Sequence, residues 1–532
     1  MTYILTFDVG TTSVKCCLFS VGAAVTLVDG ATRDHPIRLL PGGGAEQDPD
    51  DWWAAMVEGA QQIAAEHPEQ MAQVAGVSFC SQMQSLVLLD SEARPVRPAM
   101  SYMDQRAERQ MRSAGGRWPR VAGLNVGTLA RSLWHTGAAP ASVKDPVWKY
   151  HWVREHEPEA FARAHKWVDV KEALIARMTG RFVMSEDSAF ATLLSDRRSA
   201  SPRFSPAMLK MLGVDPAHMP EIVAATDQVG GLLEGPAAEL GLRKGTPVFA
   251  GGGDAAAITV GAGATGLGET HVYVGTSGWV STVTDRMLVD VSAMVAAVVG
   301  AVPGRYNYFA ELETAGKCLE WVRDHLALDE INIYLSRENV ADDPEAEFES
   351  LYDYLSQVID SAPAGAGGVL FTPWLHGNRC PFEDPNARGM FFNISLETGK
   401  TELLRAVVEG VCLHLRWFVE TQERKLRTSR RVRFVGGAAR SAVTSQILAD
   451  VLQRGVDVVE RPQDVGAVGA ALIAAVGLGI VADVETASRL VPVVESFEPR
   501  EKNRAVYDHA FAAFTKLYPA TKKVFAHLNA SR

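Results

Sequence analysis

The chain lacks the features that would identify several large classes of protein. Its 532 residues include six cysteines without a C-x-x-C pair, which favours free thiols in a reducing compartment over a zinc site or disulfides. Positive charge is in deficit, with 52 Lys and Arg against 63 Asp and Glu, so a basic surface for nucleic acid is not expected. An H-E-x-x-H metal motif, a P-loop and a strand-to-helix G-x-G-x-x-G are all absent from the sequence. The composition, 47% hydrophobic, is that of a globular protein with a substantial core.

Long hydrophobic runs are also scarce. The N-terminus has no basic start and reaches Asp8 after a short apolar run, which is not the pattern of a signal peptide. The uncharged stretch from Val465 to Ala482 is rich in glycine, and a packed internal helix and turn explains it better than a membrane span. We therefore expect a cytoplasmic protein with no membrane partner.

Hydrophobic patterning predicts an α/β protein with two lobes. Strands are expected at Tyr3–Asp8, Val14–Phe19, Val74–Cys80 and Val432–Val435, and helices are expected to begin near Pro49, Trp148, Lys171, Thr401 and Ser441. The amino-acid composition becomes rich in glycine and alanine at Gly251, which indicates a boundary between two domains. We therefore predict a first domain at residues 1–252, a second at 253–490 and a helical tail at 491–532. The acidic stretch Asp342–Glu349 is predicted to be exposed.

Two similar turns head the two predicted lobes. Gly10-Thr11-Thr12 and Gly275-Thr276-Ser277 each lie between two predicted strands. Backbone N–H groups and small hydroxyl side chains at such a tip converge on one point and can bind phosphate oxygens. Thr11, Thr12 and Ser13 at one tip and Thr276 and Ser277 at the other could hold a triphosphate, although either turn alone is more often an ordinary hairpin.

Residues near these turns could supply the rest of a phosphoryl-transfer site. Asp8 could orient Mg²⁺, which prefers oxygen ligands, and Lys15 could neutralise charge on the transferring group. Gly436-Gly437-Ala438 would let an adenine ring approach the backbone closely, although by itself a plain strand-to-helix turn is the simpler interpretation. Asp254 could accept a proton from a substrate hydroxyl, or could merely cap the helix that follows it.

This ordered set of motifs resembles the FGGY carbohydrate kinase family, within the superfamily that also contains actin, hexokinase and Hsp70 ATPases. The matching residues are Asp8–Ser13 with Lys15, Gly275–Gly278, Gly436–Ala439, Gly466–Ala471, and Asp254 at the position of the family's catalytic base. The resemblance implies two actin-like ATPase lobes of the ribonuclease H type with a cleft between them. It also implies a sugar kinase that uses ATP and Mg²⁺, and a homodimer is compatible with it.

The resemblance further assigns the sugar contacts to Met83, Gln84, Asp104 and Asp254, and the ATP contacts to Thr11, Thr12, Ser13, Lys15, Gly275, Thr276, Ser277, Gly436, Gly437 and Ala438. Within the family the pattern is most similar to xylulose kinases, so D-xylulose is the expected substrate. Gln84 replaces a usual His, Ala255 a usual Asn, Met103 another Asn and Asn378 a Glu. These departures leave L-ribulose, gluconate, glycerol and erythritol open.

Two other classes of function fit parts of the pattern. A chaperone- or filament-type ATPase of the same superfamily would use water as the nucleophile, but only some fifty residues follow Ala482, which is short for a peptide-binding domain. A catalytically silent sugar sensor would be expected to have degraded turns or to lack Asp254, and both are intact. The kinase is therefore the preferred hypothesis.

Overall fold

The computed structural model describes residues 1–114, 120–121, 124–199, 201–322, 325 and 351–529. These residues form two compact units. Unit 1 comprises Met1–Thr265, Val298–Asn307 and Val465–Val491, and unit 2 comprises Gly266–Ala297, Tyr308–Asp464 and Pro492–Arg532. The acidic stretch Asp342–Glu349 lies outside the described residues, so its predicted exposure stays a prediction.

The first half of the chain contains sixteen of the described strands and eleven of the described helices. The strands are β1 Thr2–Val9, β2 Ser13–Val21, β3 Val25–Asp34, β4 Arg38–Leu40, β5 Gly44–Gln47, β6 Val74–Ser81, β7 Val87–Leu89, β8 Ala99–Met100, β9 Arg120–Val121, β10 Leu124–Asn125, β11 Lys166–Val168, β12 Val183–Ser185, β13 Glu221–Val223, β14 Gln228–Gly231, β15 Pro247–Phe249 and β16 Gly252–Gly253. The helices are α1 Pro49–Glu66, α2 Pro68–Met71, α3 Glu108–Ala114, α4 Val126–Thr136, α5 Pro146–His156, α6 Pro158–Arg163, α7 Val170–Thr179, α8 Glu186–Ala191, α9 Pro206–Leu212, α10 Glu234–Leu240 and α11 Asp254–Gly261.

The second half of the chain continues the alternation of strands and helices. The strands are β17 Thr270–Val274, β18 Gly278–Thr284, β19 Val289–Asp290, β20 Val295–Val299, β21 Tyr306–Leu312, β22 Leu370–Thr372, β23 Met390–Phe392, β24 Arg431–Val435, β25 Gly455–Val459 and β26 Val493–Phe497. The helices among the described residues are α12 Gly316–Val322, α13 Leu351–Ser361, α14 Lys400–Gln422, α15 Ala442–Leu452, α16 Val465–Gly477, α17 Val484–Ser488 and α18 Glu501–Asn529.

The main sheets of the two units share one strand order. In unit 1, β3-β2-β1-β6-β15 are neighbours, and in unit 2, β21-β18-β17-β24-β25 are neighbours. In unit 1, β1 pairs antiparallel with β2 and parallel with β6. In unit 2, β17 pairs antiparallel with β18 and parallel with β24 in the same way. The two Gly-Thr turns therefore occupy the same topological position, between the first and second strands of each sheet. The predicted pair of related α/β lobes is confirmed.

Local signals set the starts of two helices as predicted. Asp48 caps α1 by accepting a hydrogen bond from the Asp50 N–H, and Pro49 occupies the first turn, where its missing N–H costs nothing. Ser441 caps α15 in the same way. The helix predicted to begin near Thr401 is α14, which begins at Lys400; its cap is Gly399 and not Thr401, and the Gly399 N–H donates to the Glu402 side chain. A glycine cap with a glutamate three residues later replaces the expected threonine cap.

The apolar stretch after Asp464 forms the helix α16, which is buried in unit 1. A Cβ added to Gly469 would lie 1.9 Å from the Ala257 carbonyl oxygen, and one added to Gly261 would lie 1.9 Å from that of Val465. Helices α16 and α11 thus approach so closely that only glycine fits at these two positions. The predicted internal helix is confirmed. Among the helices in the described part of the chain, none has the length and apolarity needed to cross a bilayer.

The compact units divide the chain differently from the predicted boundaries. Strand β16 pairs with β6 of unit 1, and α11, which begins at Asp254, packs against α16. Residues 253–265 and 465–490 therefore belong to unit 1, whereas the sequence assigns them to the second lobe. The predicted tail, 491–532, contributes β26 to the sheet of unit 2 before it forms α18. These pairings join segments far apart in the chain, which no local pattern reveals.

The core of unit 2 contains a buried histidine that should make stability depend on pH. His414 accepts a hydrogen bond from Trp374 Nε1 (3.2 Å) and donates one to the Cys380 carbonyl (2.8 Å), and burial lowers its pKa to about 4. Because the unfolded chain binds this proton below its ordinary pKa near 6.5, stability is lost as the pH falls through 6.5 toward 4. We expect His414 to contribute a loss of about 2 kcal/mol between pH 7 and pH 5.

Urea unfolding of the wild type and of His414→Gln at both pH values measures this contribution. The variant is expected to be less stable at pH 7 and to have a smaller difference between the two pH values. An unchanged pH dependence in His414→Gln would show that other groups cause the acid sensitivity.

Candidate active site

The tip of the β1–β2 hairpin in unit 1 is fixed by hydrogen bonds to its carbonyl groups. The Gly10 carbonyl lies 3.2 Å from the His35 ring, that of Thr11 accepts from Gln47 Nε2 (2.8 Å), and that of Thr12 accepts from the His35 N–H (2.8 Å). Carbonyl oxygens would repel a phosphate group, and here all three have protein partners. The Thr12 side chain is exposed and those of Thr11 and Ser13 are half-buried, so the tip presents hydroxyl groups.

Asp8 and Lys15 face each other on the two strands of this hairpin. Cys80 lies beside Asp8 on the neighbouring strand β6, fully buried, and hydrogen-bonds to the Asp8 carboxylate. Burial, followed by the negative charges of Asp8 and Asp254, raises the pKa of the Cys80 thiol well above its usual range. The thiol is therefore neutral at physiological pH. Gly252, two residues before Asp254, also pairs with Cys80, so the strand register brings Asp8 and Asp254 into one small region of unit 1.

Asp254 is the first residue of α11 and not its cap. The capping position belongs to Gly253, and Asp254 Oδ1 accepts from the Ala255 N–H (2.7 Å). The alternative that Asp254 serves only as the N-cap is therefore wrong. A carboxylate at the N-terminus of a helix interacts favourably with the helix dipole. The side chain is half-buried.

The glycine run before Asp254 is required by close packing. Gly251 has φ +64°, and a Cβ there would lie 2.3 Å from the Phe79 carbonyl oxygen. A Cβ on Gly253 would lie 2.1 Å from Met83 Sδ, so the Met83 side chain packs directly on the residue before Asp254. The structure thus brings Met83, a predicted sugar contact, next to the predicted base.

Gln84 adopts a left-handed backbone conformation that is unusual for a residue with a side chain. Its φ is +65°; its N–H donates to Asp169 Oδ2 (2.8 Å) and its carbonyl accepts from Lys149 Nζ (2.9 Å). Burial lowers the pKa of Lys149 to about 7, against the opposing charges of Asp104, Asp169 and Asp145. Burial likewise raises the pKa of Asp169 to about 7. The Gln84 side chain is half-buried.

Asp104 is placed differently from the other predicted sugar contacts. It is fully buried, and its two carboxylate oxygens accept from the Ala45 N–H (2.9 Å), the Arg106 N–H (3.0 Å) and Arg106 Nη2 (2.7 Å). Arg106 also contacts Glu46 (2.7 Å) and lies over the Trp152 ring. The contact of Asp104 with a sugar stays a prediction. A sugar hydroxyl that binds Asp104 would have to displace one of its present hydrogen bonds.

The second Gly-Thr turn, in unit 2, rests on the start of α12. The Gly316 N–H donates to the Gly275 carbonyl (2.8 Å), and the Ala315 and Lys317 N–H groups donate to that of Thr276 (3.1 and 3.2 Å). A Cβ on Gly316 would lie 2.3 Å from the Gly275 oxygen, so this contact needs glycine. As in unit 1, the carbonyls have partners while Thr276 is exposed and Ser277 is half-buried.

The glycine turn after β24 lies against the strand that leads into Gly275. Gly436 has φ +94°, and a Cβ there would lie 2.5 Å from the Val274 carbonyl oxygen. A Cβ on Gly437 would meet nothing within 4 Å, and Ala438 is half-buried. Unit 2 therefore brings the predicted adenosine turn next to its predicted phosphate turn, with open space at Gly437.

Four buried polar residues that support these sites were not selected from the sequence. Asp187 Oδ2 accepts from the Gly253 N–H (2.6 Å) and fixes the backbone before Asp254. Lys149 and Asp169 hold Gln84, and Gln47 holds Thr11 while accepting from Gln82 Nε2 (3.0 Å). Each lies in a segment without a motif of its own, so only its partner in the folded chain reveals its role.

Two family profiles match this chain. The one described as "FGGY family of carbohydrate kinases, N-terminal domain" matches residues 3–261, and the one for the C-terminal domain matches residues 271–478. The chain belongs to the FGGY family. It is an ATP-dependent carbohydrate kinase, and its substrates are ATP and a small-molecule sugar. The kinase hypothesis is confirmed.

Relatives of this FGGY kinase match it over almost its whole length. A xylulose kinase of Bacillus subtilis (strain 168) is 27% identical over 533 residues, covering 100% of both chains. A gluconokinase of the same strain is 25% identical and covers 97% of this chain and 95% of that protein. The crystal structure of a ligand-bound xylulose kinase from Lactobacillus acidophilus has a TM-score of 0.84 at 24% identity, covering 99% of this chain and 100% of that one. The predicted two actin-like ATPase lobes are confirmed.

Proposed function

We propose that this FGGY kinase transfers the γ-phosphoryl group of ATP to D-xylulose, with Asp254 as the general base. The observation that carries the chemistry is the strand register of unit 1, in which Asp8 of β1 and Gly252, two residues before Asp254, both pair with Cys80 of β6. Phosphoryl transfer needs a proton acceptor for the attacking hydroxyl close to the groups that bind the γ-phosphate. Asp254 starts a helix, is half-buried and adjoins Met83, which suits a base that meets a sugar hydroxyl.

The reaction assigns a distinct task to each residue. Asp254 accepts the proton of the sugar hydroxyl while its oxygen forms a bond to the γ-phosphorus, and the bond from that phosphorus to the bridging oxygen of ADP breaks. Lys15 neutralises charge on the transferring group. Thr11, Thr12 and Ser13 donate hydroxyl hydrogen bonds to phosphate oxygens, as do Thr276 and Ser277 next to Gly275 in unit 2. Gly436, Gly437 and Ala438 bind the adenosine.

The residues around Asp8 fit a magnesium ion. Mg²⁺ prefers oxygen ligands and keeps several waters, and Asp8 offers a carboxylate on a hairpin whose side chains are hydroxyl-rich. The neighbouring Cys80 is a neutral thiol, so it does not compete as a ligand. Asp8 would hold the ion, which when bound neutralises charge on the phosphate oxygens.

Gly466, the second residue of α16, should be sensitive to substitution because of Asp8. A Cβ there would lie 2.6 Å from Asp8 Oδ2 and 2.9 Å from Cys80 Sγ. Gly466→Ala is therefore expected to displace the Asp8 carboxylate and to raise the Mg²⁺ concentration for half-maximal rate about tenfold or more. Titration of activity with Mg²⁺ at saturating ATP measures this. Gly235→Ala, in α10 with open space around it, is the control, and equal Mg²⁺ requirements in the two variants would contradict the role of Asp8.

The charge of the predicted sugar segment favours a neutral sugar. Arg106, the cation of the segment 102–106, is paired with Asp104 and Glu46, so that segment offers no uncompensated positive charge to a carboxylate. An aldonate such as gluconate carries a carboxylate that would need one. This supports a ketose such as D-xylulose over gluconate, and the two B. subtilis relatives are named for xylulose and for gluconate respectively.

ADP release from ATP and Mg²⁺ across a panel of sugars tests the substrate. The panel contains D-xylulose, L-ribulose, D-gluconate, glycerol and erythritol. We expect D-xylulose to give a kcat/KM at least about tenfold above the others, since one well-placed hydrogen-bonded hydroxyl discriminates by that much or more. A higher kcat/KM for gluconate than for D-xylulose would mean that the substrate is an aldonate and not a ketose. If no sugar stimulates ATP hydrolysis, none of the five compounds in the panel is the substrate.

The location and the assembly of the protein stay predictions. All six cysteines are buried free thiols, which supports a reducing compartment such as the cytoplasm. Size-exclusion chromatography with light scattering would test the homodimer.

A further inference from the structure

The loop at residues 81–85, here called the sugar loop, contains a strained residue. Gln84 has φ +65°, a region that residues with a Cβ seldom occupy. Such conformations persist only where the surrounding structure holds them, and they concentrate at functional sites. The residue before it, Met83, packs on Gly253 next to Asp254. The strain therefore lies beside the proposed base.

One side of the Gln84 peptide is held by Asp169. This carboxylate accepts from the Gln84 N–H at Oδ2 (2.8 Å) and from the Ser85 N–H at Oδ1 (3.1 Å). It also caps α7 through the Val170 N–H (2.9 Å), so its own position is fixed by the helix. Asp169 is 4% exposed, so no bulk water competes for these bonds.

The other side is held by Lys149 of α5. Its ammonium group is fully buried and donates to the Gln84 carbonyl (2.9 Å). A buried lysine is costly, and it is retained where it makes bonds that other residues cannot make. The bond needs only an N–H, which the amine offers in both protonation states. Two buried polar groups thus hold the two ends of one residue, its N–H and its carbonyl.

We propose that Lys149 and Asp169 are positioning residues that hold Gln84 in its left-handed conformation and thereby set the affinity for the sugar. The proposal rests on the proposed function, in which Met83 and Gln84 contact the sugar. Its consequence is that the backbone conformation at position 84, as well as the side chain, determines sugar binding.

A double-mutant cycle between positions 149 and 84 tests the proposal. Lys149→Met keeps the length of the side chain and removes the donor, so Gln84 is released and the sugar KM is expected to rise about tenfold, as expected when a buried carbonyl loses its hydrogen-bond donor. The kcat and the KM for ATP should change less than about twofold. Asn adopts the left-handed conformation more readily than Gln. In a Gln84→Asn background, Lys149→Met should therefore raise the sugar KM by less than about threefold.

Lys166→Met is the matched control. Lys166 also donates to backbone carbonyls in unit 1, those of Ala217 (2.7 Å) and Met219 (3.0 Å), neither of which belongs to the sugar loop. It should leave the sugar KM unchanged in both backgrounds. An equal rise of KM for Lys149→Met in both backgrounds would overturn the proposal, as would a parallel loss of kcat and of affinity for both substrates.

A second readout separates this proposal from the proposed function. The same cycle is run on the free energy of urea unfolding, without any substrate. Suppose that positions 149 and 84 are coupled in the free energy of unfolding but no sugar in the panel is phosphorylated. Then Lys149 does hold Gln84, and the assignment of the substrate is wrong. If stability shows no coupling while D-xylulose is phosphorylated, the positioning role is overturned and the kinase assignment stands.

Discussion

Asp254→Asn is expected to lower kcat by about 10²–10⁴-fold, with little change in the KM values for sugar and ATP. Asparagine has the shape of aspartate but cannot accept the proton of the attacking hydroxyl. The substitution should not disturb the helix, because Gly253 and not Asp254 occupies the capping position of α11. Asn can also still accept the hydrogen bond from the Ala255 N–H. Steady-state kinetics with the best sugar of the panel measures the effect.

Asp483→Asn is the control for this substitution. Asp483 caps the short helix α17 in the same unit by accepting from the Thr486 N–H (2.7 Å), and asparagine is an equally good cap. It should leave kcat within about twofold of the wild type. Retention of more than about a tenth of kcat in Asp254→Asn would mean that another group accepts the proton.

Gly436→Ala is expected to disrupt the adenosine turn of unit 2. The position has φ +94° and ψ 175°, a conformation that is essentially restricted to glycine, and the new Cβ would lie 2.5 Å from the Val274 carbonyl oxygen. Strain and overpacking together should cost about 2–5 kcal/mol of stability. Because Val274 leads into the Gly275 turn, the KM for ATP should rise by about 100-fold or more wherever the variant stays folded.

Gly437→Ala separates stability from binding at this turn. A Cβ at Gly437 would meet nothing within 4 Å, so this variant should keep its thermal unfolding temperature while raising the KM for ATP if adenosine packs there. Gly235→Ala, with open space in a helix, should be neutral or slightly stabilising. Wild-type stability and ATP affinity in Gly436→Ala would show that the turn does not need this conformation.

Short-range patterns were sufficient for much of the fold. The strands at both Gly-Thr turns, the start of α1 at Asp48-Pro49 and the internal helix after Asp464 follow from neighbouring residues, and the structure has them. The cap of α14 shows the limit of such patterns, because Gly399 with Glu402 and Thr401 are both acceptable starts on sequence alone. The choice between them depends on the backbone of the folded chain.

Long-range pairing determined what the patterns could not. Asp254 was assigned to the second lobe, yet β16 pairs with β6 and α11 packs on α16, so it belongs to unit 1 with Asp8. The sugar contact of Asp104 stays a prediction, but its carboxylate is buried against Arg106 and Ala45. The sequence motif does not reveal these protein partners, which come from the fold.

The sequence alone determined the family, the order of its motifs and the candidate groups for phosphoryl transfer, because these depend on residue types at fixed spacings. The tertiary structure alone decided how those groups are held. Gln84 has a left-handed conformation and hydrogen-bonds to Lys149 and Asp169. Asp187 bonds to Gly253, and Cys80 lies beside Asp8. A buried polar group must find partners, and those partners come from segments distant in the chain, so packing and not local pattern determines them.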